Sequence, residues 1–212
     1  MTSKCTFSDP KTGVFPKNTP FKKTTTLYAK TRLPDHEIVL WGHSLGTSAV
    51  SRAISVHSKA MSKSVKVAVL EAPFADALSA SKTHPLTSPF RKFYSTPVVN
   101  WAIDLVAESA GLHKLASLDN LKSVKSKNRP KMLVLHSVDD DELGVWNSDL
   151  MVEVLVSQEI AETGEASRTR YLRFAGEKGY GHSGMLQNAE WQGELACLLD
   201  GQFCEVNLDE ND

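Results

Sequence analysis

A long apolar run is the first thing missing from this chain. Across 212 residues no stretch approaches the roughly 20 apolar residues that span a bilayer, and the amino terminus lacks the apolar core of a signal peptide. Taken alone, this predicts a cytoplasmic location, with work at a membrane surface left open. Cysteine is scarce: Cys5, Cys197 and Cys204 stand in no metal or redox spacing, and an odd number argues against a disulfide framework. Excess charge of either sign is also absent. With 24 Lys and Arg against 25 Asp and Glu, the net charge of -1 implies no general attraction to nucleic acid. No N-x-S/T glycosylation sequon occurs. What remains, 41% apolar and 23% charged residues, describes one soluble globular domain with a sizeable core.

The chain reads as alternating strands and helices. Residues 1–24, rich in Lys, Thr and Pro, read as irregular or disordered, and a short helix is expected over 26–32. Buried strands are predicted at 38–41, 65–70, 132–135 and 168–174. Helical spacing follows the first strand (Leu45, Val50, Ala53, Ile54, His57, Met61), recurs around 146–158, and reappears late, where Trp191, Leu195, Leu198 and Leu199 share a face. Between the second and third strands, 75–130 has several prolines and no strand signal; its best helix is 98–110. The tail 205–212 holds four acids and is expected to fray. Strands alternating with helices predict an α/β fold on a mostly parallel sheet.

The strongest motif is Gly42-His43-Ser44-Leu45-Gly46, directly behind Ile38-Val39-Leu40-Trp41. It spells G-x-S-x-G, the turn that carries a serine from a buried strand into a helix with its hydroxyl aimed outward. Crowding of that turn predicts small residues two before and two after the serine. The plainer alternative is a serine that merely caps the following helix.

Serine is a poor nucleophile without a base, and the base needs an orienting carboxylate. In such sheets functional residues gather beyond the carboxyl ends of the strands. The loop after the third strand is His136-Ser137-Val138-Asp139-Asp140-Asp141, and the loop after the fourth runs from Gly176 to His182. One partner from each gives the chain order Ser44, Asp, His182, which is that of the α/β-hydrolase fold. Any of Asp139, Asp140 and Asp141 could be the acid on this reading. His136 reads as a buried, satisfied histidine, and His43 as packing beside the elbow. Gly179, Gly181 and Gly184 also spell G-x-G-x-x-G, but no βαβ continuation follows, which excludes a dinucleotide site.

Trp-Gly-His-Ser-Leu-Gly-Thr at 41–47, Leu-Glu-Ala-Pro-Phe at 70–74, Lys-Thr-His-Pro at 82–85, Leu-His-Ser-Val-Asp-Asp at 135–140 and Gly-Tyr-Gly-His at 179–182 occur in one order. Together they resemble the monoacylglycerol and lysophosphatidylserine lipases of the α/β-hydrolase domain-containing protein 12 family, over roughly 27–203. The resemblance implies that the acid is Asp140, four residues after the strand-ending histidine. It also implies a membrane-associated serine hydrolase of glycerolipid and lysophospholipid esters, located at the endoplasmic reticulum.

Only 36 residues precede Glu37, and they do not read as the strands that such folds place before the elbow. The chain is therefore expected to be an α/β-hydrolase domain truncated at its N-terminus, occupying 25–204 with a helical cap insertion at about 75–130. One oxyanion donor, the Leu45 amide, would remain while the second, from an earlier loop, is missing. The elbow strand would become an exposed edge that invites self-association. Trp101, Ile103, Leu105 and Val106, with Phe90, Phe93 and Tyr94, are candidates to line an acyl pocket. Lys122, Lys125, Lys127, Arg129 and Lys131 read as solvated charge, with attraction to anionic lipid as the alternative.

The expectation is a serine ester hydrolase of lipase type with no metal or cofactor, acting on a lipid ester, with peripheral membrane contact and no nucleic acid. Ser44, His182 and Asp140 carry the chemistry. The rivals are a weakly active or inactive remnant and a serine aminopeptidase of the same fold.

Overall fold

The computed structural model describes residues 38–77, 80, 96, 101, 105, 115–165 and 167–200. Four strands, β1 (Ile38–His43), β2 (Val65–Glu71), β3 (Lys131–Ser137) and β4 (Thr169–Phe174), form one sheet in the order β1-β2-β3-β4. All three pairings are parallel. His43 stands opposite Glu71, Glu71 opposite Leu135, and Ser137 opposite Phe174, so every carboxyl end meets one rim.

The apolar runs follow from burial on both faces, as parallel sheets require. On one face Ala68, Leu70 and Met132 pack against α1 (Leu45–Ser64), α2 (Ser117–Lys122) and α3 (Trp146–Thr163), through Val50, Ile54, Leu121, Met151 and Leu155. On the other, Val67, Val69, Leu133 and Leu135 pack with Phe174, Met185 and Leu198 of α4 (Glu190–Asp200). Trp191, Leu195 and Leu199 of α4 join that layer, as their spacing predicts. Trp41 of β1 meets Trp191 edge-on, ring centroids 5.0 Å apart.

β2 and β3 are buried almost throughout, whereas β1 is only half-buried. Among the described residues β1 pairs with β2 alone, which puts the elbow strand at the edge of the described sheet. Of the segment expected to be a cap, residues 115–130 pack instead into the core: Leu121 and Val124 lie against α1, and Ser48 Oγ bonds Ser117 Oγ at 2.8 Å. The rest of that segment, the 26–32 helix and the acidic tail fall mostly or wholly outside the described residues. Among the described residues no helix is long and apolar enough to cross a membrane.

Three sequence expectations need correction. Leu45, grouped with the helix's apolar positions, is 62% exposed and lines the cavity at Ser44 instead of the core. His57 leaves helical geometry at φ -121° and ψ 26°, putting a kink in α1. Cys197 is disulfide-bonded; an odd count excludes complete pairing, not one pair.

The basic strip also divides. Lys122, Lys125 and Lys127 are exposed, but Arg129 is buried. Its guanidinium donates to Gln158 Oε1 (3.1 Å) and Ser126 Oγ (3.0 Å) and lies 3.5 Å from Glu159 Oε1. Glu159 in turn accepts the backbone N–H of Arg168 (2.9 Å) and Thr169 (3.2 Å), fixing where β4 starts. This buried pair clamps the amino ends of β3 and β4, opposite the functional rim. Removing one partner strands a charge in the interior, so Glu159→Ala is expected to cost about 3–5 kcal/mol in urea unfolding, far more than removal of exposed Lys127.

Candidate active site

The elbow turn joins β1 to α1. Ser44 has φ 50° and ψ -120°, a region that costs a non-glycine residue about 1–3 kcal/mol. Backbone bonds on both sides hold it there: Ser44 N donates to Glu71 O at 2.9 Å, and Ser44 O accepts Thr47 N (2.9 Å) and Thr47 Oγ1 (2.6 Å). The Ser44 side chain makes no capping bond to α1, so capping does not explain it. A Cβ on Gly42 would lie 2.6 Å from Gly46 O, which forces glycine there. One on Gly46 would meet nothing within 4 Å, contrary to the sequence expectation: the crowding runs from the strand residue onto the Gly46 backbone and not the other way.

The loop after β3 separates its acids. Asp140 is buried, and its Oδ2 accepts His182 Nδ1 at 2.8 Å and His136 Nε2 at 3.1 Å. Its Oδ1 accepts the backbone N–H of Glu142 (3.0 Å) and Leu143 (2.8 Å). Asp139 instead accepts the backbone N–H of Gly181 at 3.0 Å, tying this loop to the one bearing His182. Asp141 is exposed. His136 is buried and satisfied as expected, but it also helps hold the acid. Its Nε2 faces both Asp140 and Leu143 O (2.9 Å), so that nitrogen carries the hydrogen, and Nδ1 accepts from Ser148 Oγ at 2.6 Å.

His182 follows a turn whose glycines are structural. Gly181 has φ 52°, and a Cβ on Gly184 would lie 2.4 Å from Tyr180 O. The carbonyl of His182 accepts His43 Nε2 at 3.0 Å, and the two rings stand 4.8 Å apart. This bond anchors the His182 loop to the residue next to Ser44. Since Nδ1 of His182 faces a carboxylate, it carries the hydrogen, leaving Nε2 bare in the neutral ring. Among the described residues Ser44 Oγ makes no hydrogen bond. His182 Nε2 lies 3.8 Å from Glu142 Oε2.

Ser44 opens onto a cavity of about 180 Å³ lined by Leu45, Phe74, Ala77, Ala80, Glu142 and Leu143. Trp101 and Leu105 are 65% and 52% exposed and do not line it; Ile103 and Val106 lie outside the described residues. Leu45 is the first residue of α1, so its N–H has no acceptor within the helix.

Burial opposes the charge on Asp140, but hydrogen bonds from His136, His182 and the Leu143 amide outweigh it and hold the carboxyl far below its usual range. The bond to Asp140 raises His182 above its ordinary 6.5; burial works against this, and the charges of Asp140, Glu142 and Glu71 add to it. Glu71, buried at the end of β2, is pushed up by burial, while a bond from Trp41 Nε1 (3.0 Å) and the nearby His43 and His182 restrain it. Among the described residues no cluster of three or more His, Cys, Asp or Glu is arranged for a metal.

Glu71, Glu142 and the bond from His136 to Asp140 escaped the sequence reading. An acid ending an otherwise apolar strand was a usable signal for Glu71. Glu142 stands one residue beyond the aspartate run and has no such mark.

The sequence model of the prolyl oligopeptidase family matches residues 21–196. The chain belongs to that family. Its curated relatives include the lysophosphatidylserine lipase ABHD12 of Xenopus tropicalis, 28% identical over 113 residues that make up 53% of this chain and 27% of that protein. The Rattus norvegicus counterpart is 28% identical over 53% and 26%. The chain thus matches about a quarter of the length of these curated relatives. Among solved structures, a Pyrococcus furiosus esterase superposes with a TM-score of 0.51 at 14% identity, covering 86% of this chain and 60% of its own. An acylaminoacyl peptidase of Pyrococcus horikoshii gives 0.53 at 16%, covering 89% and 28%. This prolyl oligopeptidase family member therefore has the α/β-hydrolase fold, which the expected parallel sheet and its order of motifs already implied.

Two outcomes follow from this geometry. Because His182 is raised, its protonated form is favoured in the folded state. The associated stabilisation is complete below pH 6.5, the unfolded value, and is lost as pH rises through the folded one. Proton NMR of the His182 ring should give a midpoint above 6.5 that drops in Asp140→Asn; an unchanged midpoint would contradict the pairing. Gly42→Ala should destabilise by about 1–3 kcal/mol through overpacking, whereas Gly46→Ala should be neutral or stabilise by up to about 1 kcal/mol in thermal unfolding.

Proposed function

We propose that this chain carries the catalytic centre of a serine hydrolase acting on carboxylic esters of monoacylglycerol or lysophospholipid type. The observation that carries the reading is the 2.8 Å bond from His182 Nδ1 to buried Asp140, on a loop tied through His43 to the neighbour of a serine held at φ 50°. Ser44 Oγ attacks the acyl carbonyl while His182 Nε2 takes its proton. Asp140 keeps the imidazole in the tautomer with Nε2 free and stabilises the imidazolium that forms. The Leu45 N–H donates to the oxyanion. Collapse of the tetrahedral intermediate breaks the bond to the leaving alkoxide, which takes the proton back from His182. Water then attacks the acyl-enzyme, giving its proton to His182, and the acid leaves as Ser44 regains its hydrogen. No step calls for a cofactor. Contacts between Ser44 and its base are often long without substrate and tighten when it binds, which accommodates the open arrangement here.

A lipid ester substrate is supported by the names of the ABHD12 relatives and by the apolar walls beside Ser44. Trp101 and Leu105, exposed apolar side chains, are kept as candidate contacts for an acyl chain or membrane surface. A peptidase reading draws on the prolyl oligopeptidase family match. The two separate on substrate: a monoacylglycerol ester against an aminoacyl or acylaminoacyl amide, each assayed with the purified chain.

Labelling by a fluorophosphonate is the direct test. Ser44→Ala should abolish it, and Asp140→Asn should slow ester turnover roughly 1,000- to 10,000-fold with folding intact by circular dichroism. A folded chain that labels equally well without Ser44 defeats the proposal. The base must be neutral to act, so the acid limb of kcat/KM should lie above pH 6.5.

A further inference from the structure

We propose that Glu71 serves the base as a second anion, a positioning residue on β2 that stabilises the imidazolium of His182 formed during acyl transfer. This rests on the hydrolase reading above and adds a residue to its machinery.

β2 is buried except at Lys66, and Glu71, the acid that ends it, is only 2% exposed. A carboxylate taken out of water needs donors or cations around it. Asp140 meets that need with four hydrogen bonds. Among the described residues the Glu71 carboxylate accepts one, from Trp41 Nε1 at 3.0 Å, which leaves most of its compensation to nearby charge. The backbone around it is pinned: Glu71 O accepts Ser44 N at 2.9 Å, and Ala72 N donates to Leu135 O at 2.8 Å. Ala72 stands at φ 46°, a left-handed angle that strains an alanine. The carboxylate is thus held at a set place beside the elbow.

The charges it meets are the two histidines of the site. Register sets Glu71 directly opposite His43, so both side chains leave the sheet on the face that carries Trp41. His43 Nε2 donates to the His182 carbonyl at 3.0 Å, and its ring lies 4.8 Å from the His182 ring. The α4 layer brings the uncharged Trp191 against Trp41, and Tyr180 packs in that same layer. Burial pushes the Glu71 carboxyl up, while the Trp41 bond and then the charges of His43 and His182 draw it back. The influence is mutual. The bond to Asp140 is the largest cause that raises His182, and Glu71 adds its charge after those of Asp140 and Glu142. Among the described residues Glu71 makes no hydrogen bond to His182, so it acts on the ring by charge. While His182 is neutral, Glu71 gains little from it. When His182 takes the Ser44 proton, a cation appears within reach of a poorly solvated anion. That attraction exists only along the reaction path, so it lowers the barrier without tightening the ground state.

Glu71→Gln removes the charge and keeps an oxygen for Trp41, which separates the electrostatic role from a structural one. With glycerol monobutyrate as substrate, kcat/KM on the pH plateau should fall roughly three- to tenfold. A lost anion makes His182 a weaker base, so the acid limb should move to lower pH and the deficit should shrink on acidification. Glu71→Asp, which retains the charge, should keep the limb close to that of the wild type. Proton NMR of the His182 ring should show a lower midpoint in Glu71→Gln, by less than in Asp140→Asn. Glu177→Gln, an exposed acid in the turn before His182, should leave that midpoint unmoved. Should Glu71→Gln fail to fold, reciprocity supplies the check: by carbon NMR the Glu71 carboxyl should titrate higher in His182→Gln than in the wild type. An unmoved His182 midpoint in folded Glu71→Gln, or an unmoved Glu71 midpoint in His182→Gln, overturns this inference. Ser44-dependent labelling by a fluorophosphonate then leaves the hydrolase reading standing. Absence of that labelling in the folded wild type overturns both.

Discussion

The buried carboxylate of Asp140 is the interaction on which this site depends. It accepts four hydrogen bonds, two from histidine rings and two from backbone amides. An ionised carboxylate out of water is tolerable only when its lone pairs are filled in this way. The filling has structural consequences: it fixes the tautomer of His182, ties the strand-ending His136 to the same anion, and folds the turn that carries Glu142 and Leu143 into the cavity wall. Acid, base orientation and pocket wall are thus parts of one desolvation solution.

The sheet supplies the platform. Parallel pairing in matched register brings four strand ends to one rim, and each contributes a different component: the elbow after β1, Glu71 ending β2, the acid loop after β3 and the His182 loop after β4. Two cross-links lock these loops together, His43 to the His182 carbonyl and Asp139 to the Gly181 amide. The opposite rim is clamped by Arg129 and Glu159, so the basic stretch is partly a structural anchor rather than a uniform surface strip.

Much of this was legible in the residues. The four strands announce themselves as short apolar runs because both faces of a parallel sheet are covered. Gly42 marks the elbow because no Cβ fits there, and His182 stands out as the one histidine beyond the fourth strand. Assigning the acid needed more. Asp139, Asp140 and Asp141 are chemically identical and adjacent, and family resemblance rather than spacing favoured the middle one. Arg129 was misleading for a related reason: a run of cations looks solvated until Glu159, 30 positions later, folds beside one of them.

What the sequence determined by itself is the order of elements and which residues are candidates for nucleophile and base, since periodicity and backbone sterics are local properties. Tertiary structure alone decided which carboxylate meets the imidazole, which glycine of the elbow is compelled, and that Glu142 faces the cavity. Those outcomes depend on where hydrogen-bond donors from distant segments converge on a desolvated charge. No local pattern encodes that convergence.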